Sequence, residues 1–159
     1  MTVALFHAAF AAVLLAAAAE DVRCRRISNL FPIMLVVLFA GVALWRGETG
    51  TLFLHFLSFI SLFVLGAALF TRGIIGGGDV KLMAAAALWF EVQQLPALLL
   101  AIALCGGVLA LVLVAHGLFL SEKGAHTRRA DRRRRNSVPY GLAIAAGAII
   151  VMGPDLLRL

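Results

Sequence analysis

Charge is what this sequence has least of. Only 14% of its 159 residues are Asp, Glu, Lys or Arg, against about 25% in a soluble domain. With 63% hydrophobic residues and a mean hydropathy of +1.03, a water-soluble globule is excluded. Cysteine is scarce as well. Cys24 and Cys105 stand in different segments and form no C-x-x-C, so neither a disulfide framework nor a cysteine zinc site is expected. His7, His55, His116 and His126 are isolated from one another and none belongs to an H-E-x-x-H pattern. No ligand role is assigned to them, and no metal or cofactor is expected. The basic stretch 128–135 has no interleaved aromatic residue to stack on bases, so it reads as an anchor for anionic membrane lipid and not as a nucleic-acid patch.

What is present is apolar sequence in runs long enough to cross a bilayer, which takes about 20 residues per helix. Runs at 2–19, 30–45, 51–70, 96–120 and 138–157 are separated by polar or glycine-rich breaks, and a shorter run covers 79–94. The expectation is an all-α integral membrane protein with six transmembrane helices, forming one membrane-embedded domain over 1–159. A glycine-rich break at 71–78 precedes helix four. With 20–29, 71–78 and 121–136 on the cytoplasmic side, all Lys and Arg except Arg46 and Arg158 fall on that side. The positive-inside rule therefore orients both termini outward. Small residues at 16–19 resemble a signal-peptide cleavage site, but no Lys or Arg precedes Arg23, where a signal peptide carries positive charge. The first run is expected to stay as a helix.

Two carboxylates stand out against this background. Asp21 closes the first run, and Asp79 opens the fourth within Gly76-Gly77-Gly78-Asp79-Val80-Lys81. An ionised aspartate at the bilayer centre costs about 2.5–3.5 kcal/mol on insertion scales, so such residues face wet cavities and carry function. The topology puts both at the cytoplasmic ends of their helices, where packing of helices one and four would bring them to one depth. Paired aspartates suit hydrolysis, one carboxylate taking a proton from water while a neutral partner donates one. Taken singly, Asp21 also suits an interfacial balance for Arg23, Arg25 and Arg26, and Asp79 suits a helix N-cap beside Gly78.

The supporting residues carry double readings too. Gly76, Gly77 and Gly78 can take unusual backbone angles and admit a substrate strand, or form a plain turn. Lys81 can act on a carboxyl or snorkel to the interface. Asn29 can position backbone near Asp21, or cap helix two, which its type favours. The residues alone leave three functions open: an aspartyl hydrolase, a small transporter using Asp21 and Asp79 as proton or cation sites, and a non-catalytic membrane subunit whose aspartates only hold helices together.

The G-x-G-D element with Lys81 after it resembles that of the type IV prepilin peptidases. The segment from Asp21 to Asn29 resembles their first-aspartate segment, D-x-R followed by I-x-N, and Val138-Pro139-Tyr140-Gly141 resembles the start of their last helix. The resemblance implies an intramembrane aspartyl endopeptidase of the bacterial inner membrane, with Asp21 and Asp79 as its pair. It would cut the short basic leader from prepilin or pseudopilin precursors at the cytoplasmic face, after a glycine. The larger members' cysteine-bearing methyltransferase domain has no counterpart here, so methylation is not expected. The chain is most similar to the short form that accompanies tight-adherence (Flp-type) pili; the presenilin-like G-x-G-D proteases are a more distant likeness. With this resemblance, the non-catalytic alternative would be a subunit of a secretion or pilus machine.

Overall fold

A computed structural model describes residues 2–47, 50–121 and 139–157. Among these every regular element is helical: α1 (Thr2–Cys24), α2 (Leu30–Arg46), α3 (Leu52–Thr71), α4 (Gly77–Ala87), one 3-10 turn (Val92–Gln94), α5 (Leu95–Ser121) and α6 (Tyr140–Leu157). Three stretches, Leu5–Cys24, Leu52–Thr71 and Val92–His116, are long and apolar enough to cross a membrane. The expected basic loop, with Lys123, His126, Arg128–Arg135 and Val138, lies outside the described residues.

The helix ends follow from local chemistry. α1 runs past its apolar stretch and takes Asp21 into its last turn. It stops where Arg25 adopts φ 53°, its N–H donating to the Asp21 carbonyl at 2.8 Å. α3 stops at Gly73, which has φ 69°. There the Ile74 N–H reaches the Leu69 carbonyl at 3.0 Å and the Gly73 N–H reaches Phe70 at 2.9 Å, the paired bonds of a Schellman motif. That motif needs a left-handed residue just past the helix, and glycine adopts it without steric cost.

Two expectations are corrected here. Gly76–Gly78 do not break a helix or take unusual angles: Gly76 is extended at φ −76°, ψ 149°, and Gly77 and Gly78 are the first residues of α4. The break is made upstream, by Gly73. Helix four does not run from 79 to 94 either. It has 11 residues, a rise of about 16 Å, roughly half a hydrocarbon core.

α4 is short because side chains of other helices hold its far end. His55 Nδ1 lies 3.1 Å from the Leu88 carbonyl oxygen, which only accepts, so the ring donates there. Trp89 Nε1 donates to the Leu35 carbonyl at 3.2 Å, and the Trp89 ring packs on Phe10 at 4.7 Å. α4 is buried nearly all round, with Val80 and every residue from Leu82 to Ala87 in the core. Small side chains let its neighbours approach closely, which is how helices associate where lipid removes the hydrophobic drive. A Cβ on Gly66 of α3 would lie 2.8 Å from Val80 Cγ1, and one on Gly147 of α6 would lie 2.7 Å from the Ile102 backbone nitrogen of α5. The pairings Phe70–Gly77 and Gly66–Val80 run α3 antiparallel to α4, while Asn29–Lys81 and Leu35–Trp89 run α2 parallel to it. α4 therefore starts at the level of the α1–α2 connection and descends into the bundle.

Candidate active site

Asp21 sits in the last turn of α1 and is 7% exposed. Its Oδ2 accepts from the Gly141 N–H at 2.9 Å, a bond spanning 120 residues of sequence. Gly141 is the second residue of α6, so its N–H is one of the first-turn donors that a helix cannot satisfy internally. The position has no room for a side chain: a Cβ there would meet Asp21 Oδ2 at 2.9 Å, Ile27 Cδ1 at 3.0 Å and Asp21 Cβ at 3.1 Å. Arg25, four residues on, acts electrostatically on the Asp21 carboxylate.

Asp79 stands in the first turn of α4, half-buried. It is not the N-cap that its type suggested; Gly76 holds that position. Asp79 Oδ2 folds back to accept from the Gly76 N–H at 3.2 Å, one half of a capping box. A Cβ on Gly76 would lie 2.8 Å from that oxygen, so this glycine gives the carboxyl its place.

Ile27 joins the two halves. Its side chain lies against Gly141 of α6, and its Cβ would be 3.2 Å from a Cβ on Gly78 of α4. One residue thus touches both the neighbour of Asp79 and the partner of Asp21, and the charge of Asp21 acts on Asp79. The sequence-predicted aspartates share one site at the end of the bundle where α1 stops and α4 and α6 begin.

The supporting residues divide. Lys81 and Asn29 meet, Lys81 Nζ donating to Asn29 Oδ1 at 3.0 Å. Asn29 occupies the N-cap of α2 but makes no side-chain cap bond there. Gly76 and Gly78 pack against site atoms, whereas Gly77 faces the Phe70 ring, 3.4 Å from where its Cβ would be. Ile27 and Gly141 were not among the residues singled out from sequence for the site. Both lie in motifs that were, but nothing local marks an isoleucine or a helix-opening glycine as a contact of a carboxyl. Among the described residues no cluster of His, Cys, Asp and Glu is suited to a metal ion.

No curated protein and no solved structure matches the chain. A family model does, over residues 8–111, about two-thirds of the chain and a stretch that includes both aspartates. With its apolar helices and this match, the chain is a membrane protein and belongs to the type IV leader peptidase family (Peptidase_A24).

Proposed function

We propose that the protein is an intramembrane aspartyl endopeptidase that removes the short basic leader from type IV (Flp-like) prepilins, cutting after a glycine, with Asp21 and Asp79 as its catalytic pair. Membership of a leader peptidase family supports aspartic peptidase activity in general. The observation that carries the choice of Asp21 and Asp79 as the pair is their approach through Ile27, which touches both Gly78 and Gly141.

An aspartyl pair works with one proton between its two carboxyls, because double ionisation of interacting carboxylates is unfavourable. The ionised member removes a proton from water as the water oxygen bonds to the scissile carbonyl carbon. The neutral member gives its proton to the carbonyl oxygen. Collapse of the resulting diol breaks the C–N bond, with a proton passing to the leaving amine and the pair returning to its starting state. Each aspartate has an oxygen fixed by a backbone N–H, Gly141 for Asp21 and Gly76 for Asp79, so the carboxyls are oriented before substrate arrives. The basic connections and the direction of α4 support a six-pass arrangement in the bacterial inner membrane, with the pair at the cytoplasmic side.

The test is cleavage of a candidate prepilin by purified protein, with the new N-terminus mapped by mass spectrometry. Asp21→Asn and Asp79→Asn should each abolish cleavage while insertion stays intact, and the double variant should be no worse than either. Substantial cleavage by either single variant removes the dyad.

A further inference from the structure

The connection at 25–29 has no regular secondary structure, yet it is fixed along its length. The Ser28 N–H donates to Glu20 Oε2 at 3.0 Å, tying it back to α1, and the Leu30 N–H donates to Ser28 Oγ at 3.3 Å. Ile27 is wedged between Gly78 and Gly141. Asn29 then forgoes the cap bond its type favours and gives its oxygen to Lys81 of α4. Lys81 stands two residues past Asp79, about 200° around the helix axis, so it projects away from the side that carries the carboxyl. That geometry disfavours direct action of Lys81 on Asp79 and leaves Asn29 as the group it engages.

We propose that 25–29 is a spacer setting the separation of Asp21 and Asp79, and that the Lys81–Asn29 hydrogen bond is its lock, making Lys81 and Asn29 positioning residues for the pair. The inference rests on reading Asp21 and Asp79 as that pair. At this end α1 and α4 meet through Ile27 and α6, and the Lys81–Asn29 bond is a hydrogen bond from the 25–29 connection to α4. The lock joins the segment that follows Asp21 to the turn that carries Asp79.

Two measurements test it. Hydrogen exchange of the 25–29 amides needs no activity: Lys81→Met and Asn29→Leu should each speed it, and Asn29→Asp, which keeps an acceptor, should not. In prepilin cleavage, Lys81→Met and Asn29→Leu should each lower kcat roughly ten- to a hundredfold with KM little changed, since misplacement of about 1 Å can cost that much. The double variant should match the singles, and Asn29→Asp should stay near wild type. A raised KM for Lys81→Met with Asn29→Leu silent would make Lys81 a substrate contact and overturn the lock. Additive losses, or unchanged exchange in both variants, would overturn it too. Wild-type protein that cleaves no prepilin would instead defeat the proposed function, leaving the exchange result to decide the lock.

Discussion

Gly141→Ala perturbs the site by one methyl group, and its effect can be worked out from the contacts around it. The new Cβ would stand 2.9 Å from Asp21 Oδ2 and 3.1 Å from Asp21 Cβ, where ordinary contact begins near 3.4 Å. Ile27 Cδ1, at 3.0 Å, can rotate away; the carboxyl is held by the Gly141 N–H on the same residue and cannot yield without stretching that bond. Asp21 must therefore shift by about 0.5 Å, which should lower kcat about tenfold on the scale of one ångström per hundredfold. Stability should change less. Overpacking costs about 1–3 kcal/mol, and alanine returns about 1 kcal/mol of helix propensity over glycine. Gly107→Ala in α5 is the control, since nothing lies within 4 Å of its added Cβ. Leader cleavage and thermal unfolding in the same detergent would be measured for both variants. A folded Gly141→Ala protein that cleaves at the wild-type rate would show that Asp21 is not seated against α6, and the site geometry would have to be redrawn.

Other outcomes follow from the same contacts. Cleavage should survive EDTA and depend on pH in a bell shape, because one carboxyl must be ionised and its partner neutral; loss on chelation with recovery on zinc would refute this. Gly78→Val, next to Asp79, should inactivate by pressing on Ile27, whose Cβ would lie 3.2 Å from the new Cβ, whereas Gly73→Ala should leave cleavage nearly intact and cost about 1–2 kcal/mol for a left-handed alanine; comparable cleavage losses would contradict the assignment. His55→Leu should lower the unfolding temperature by removing the donor to the Leu88 carbonyl, a loss of about 1–3 kcal/mol for a buried unsatisfied acceptor. An unchanged melting curve would mean that carbonyl is satisfied elsewhere.

The carboxyls were legible in the sequence because charge in an apolar chain is conspicuous, and the helices because their runs are long. The parts that were not legible depend on contacts remote in sequence. Three adjacent glycines look like a break, but the first turn of a helix tolerates glycine, and the stop was one left-handed Gly73 that composition does not separate from its neighbours. The apolar run of helix four continues through Trp89 and Phe90, so hydropathy gives no reason to end it at Ala87. The reason is supplied by His55 of α3 and by Trp89 reaching back to α2. Asn29 was read as a cap because local chemistry favours it, and α4 took its oxygen instead. Gly141 could acquire its meaning only when α6 came to rest on a residue 120 positions away.

Holding two carboxyls at this end of a membrane bundle also accounts for where the helices begin. An ionised aspartate at the bilayer centre costs about 2.5–3.5 kcal/mol, so the ionised member of the pair is best held where backbone donors meet it. The N-terminus of α4 meets Asp79 through Gly76, and that of α6 meets Asp21 through Gly141. A helix N-terminus stabilises a nearby anion by about 0.3–1 kcal/mol, and by about 2 kcal/mol in a partly buried geometry. A charge-assisted hydrogen bond adds about 1.5–3 kcal/mol. α4 therefore starts where Asp79 is needed, at the level of the α1–α2 connection. The half-length of α4 is set from both ends: seating Asp79 on the helix N-terminus fixes its start, and the His55 and Trp89 hydrogen bonds fix its stop.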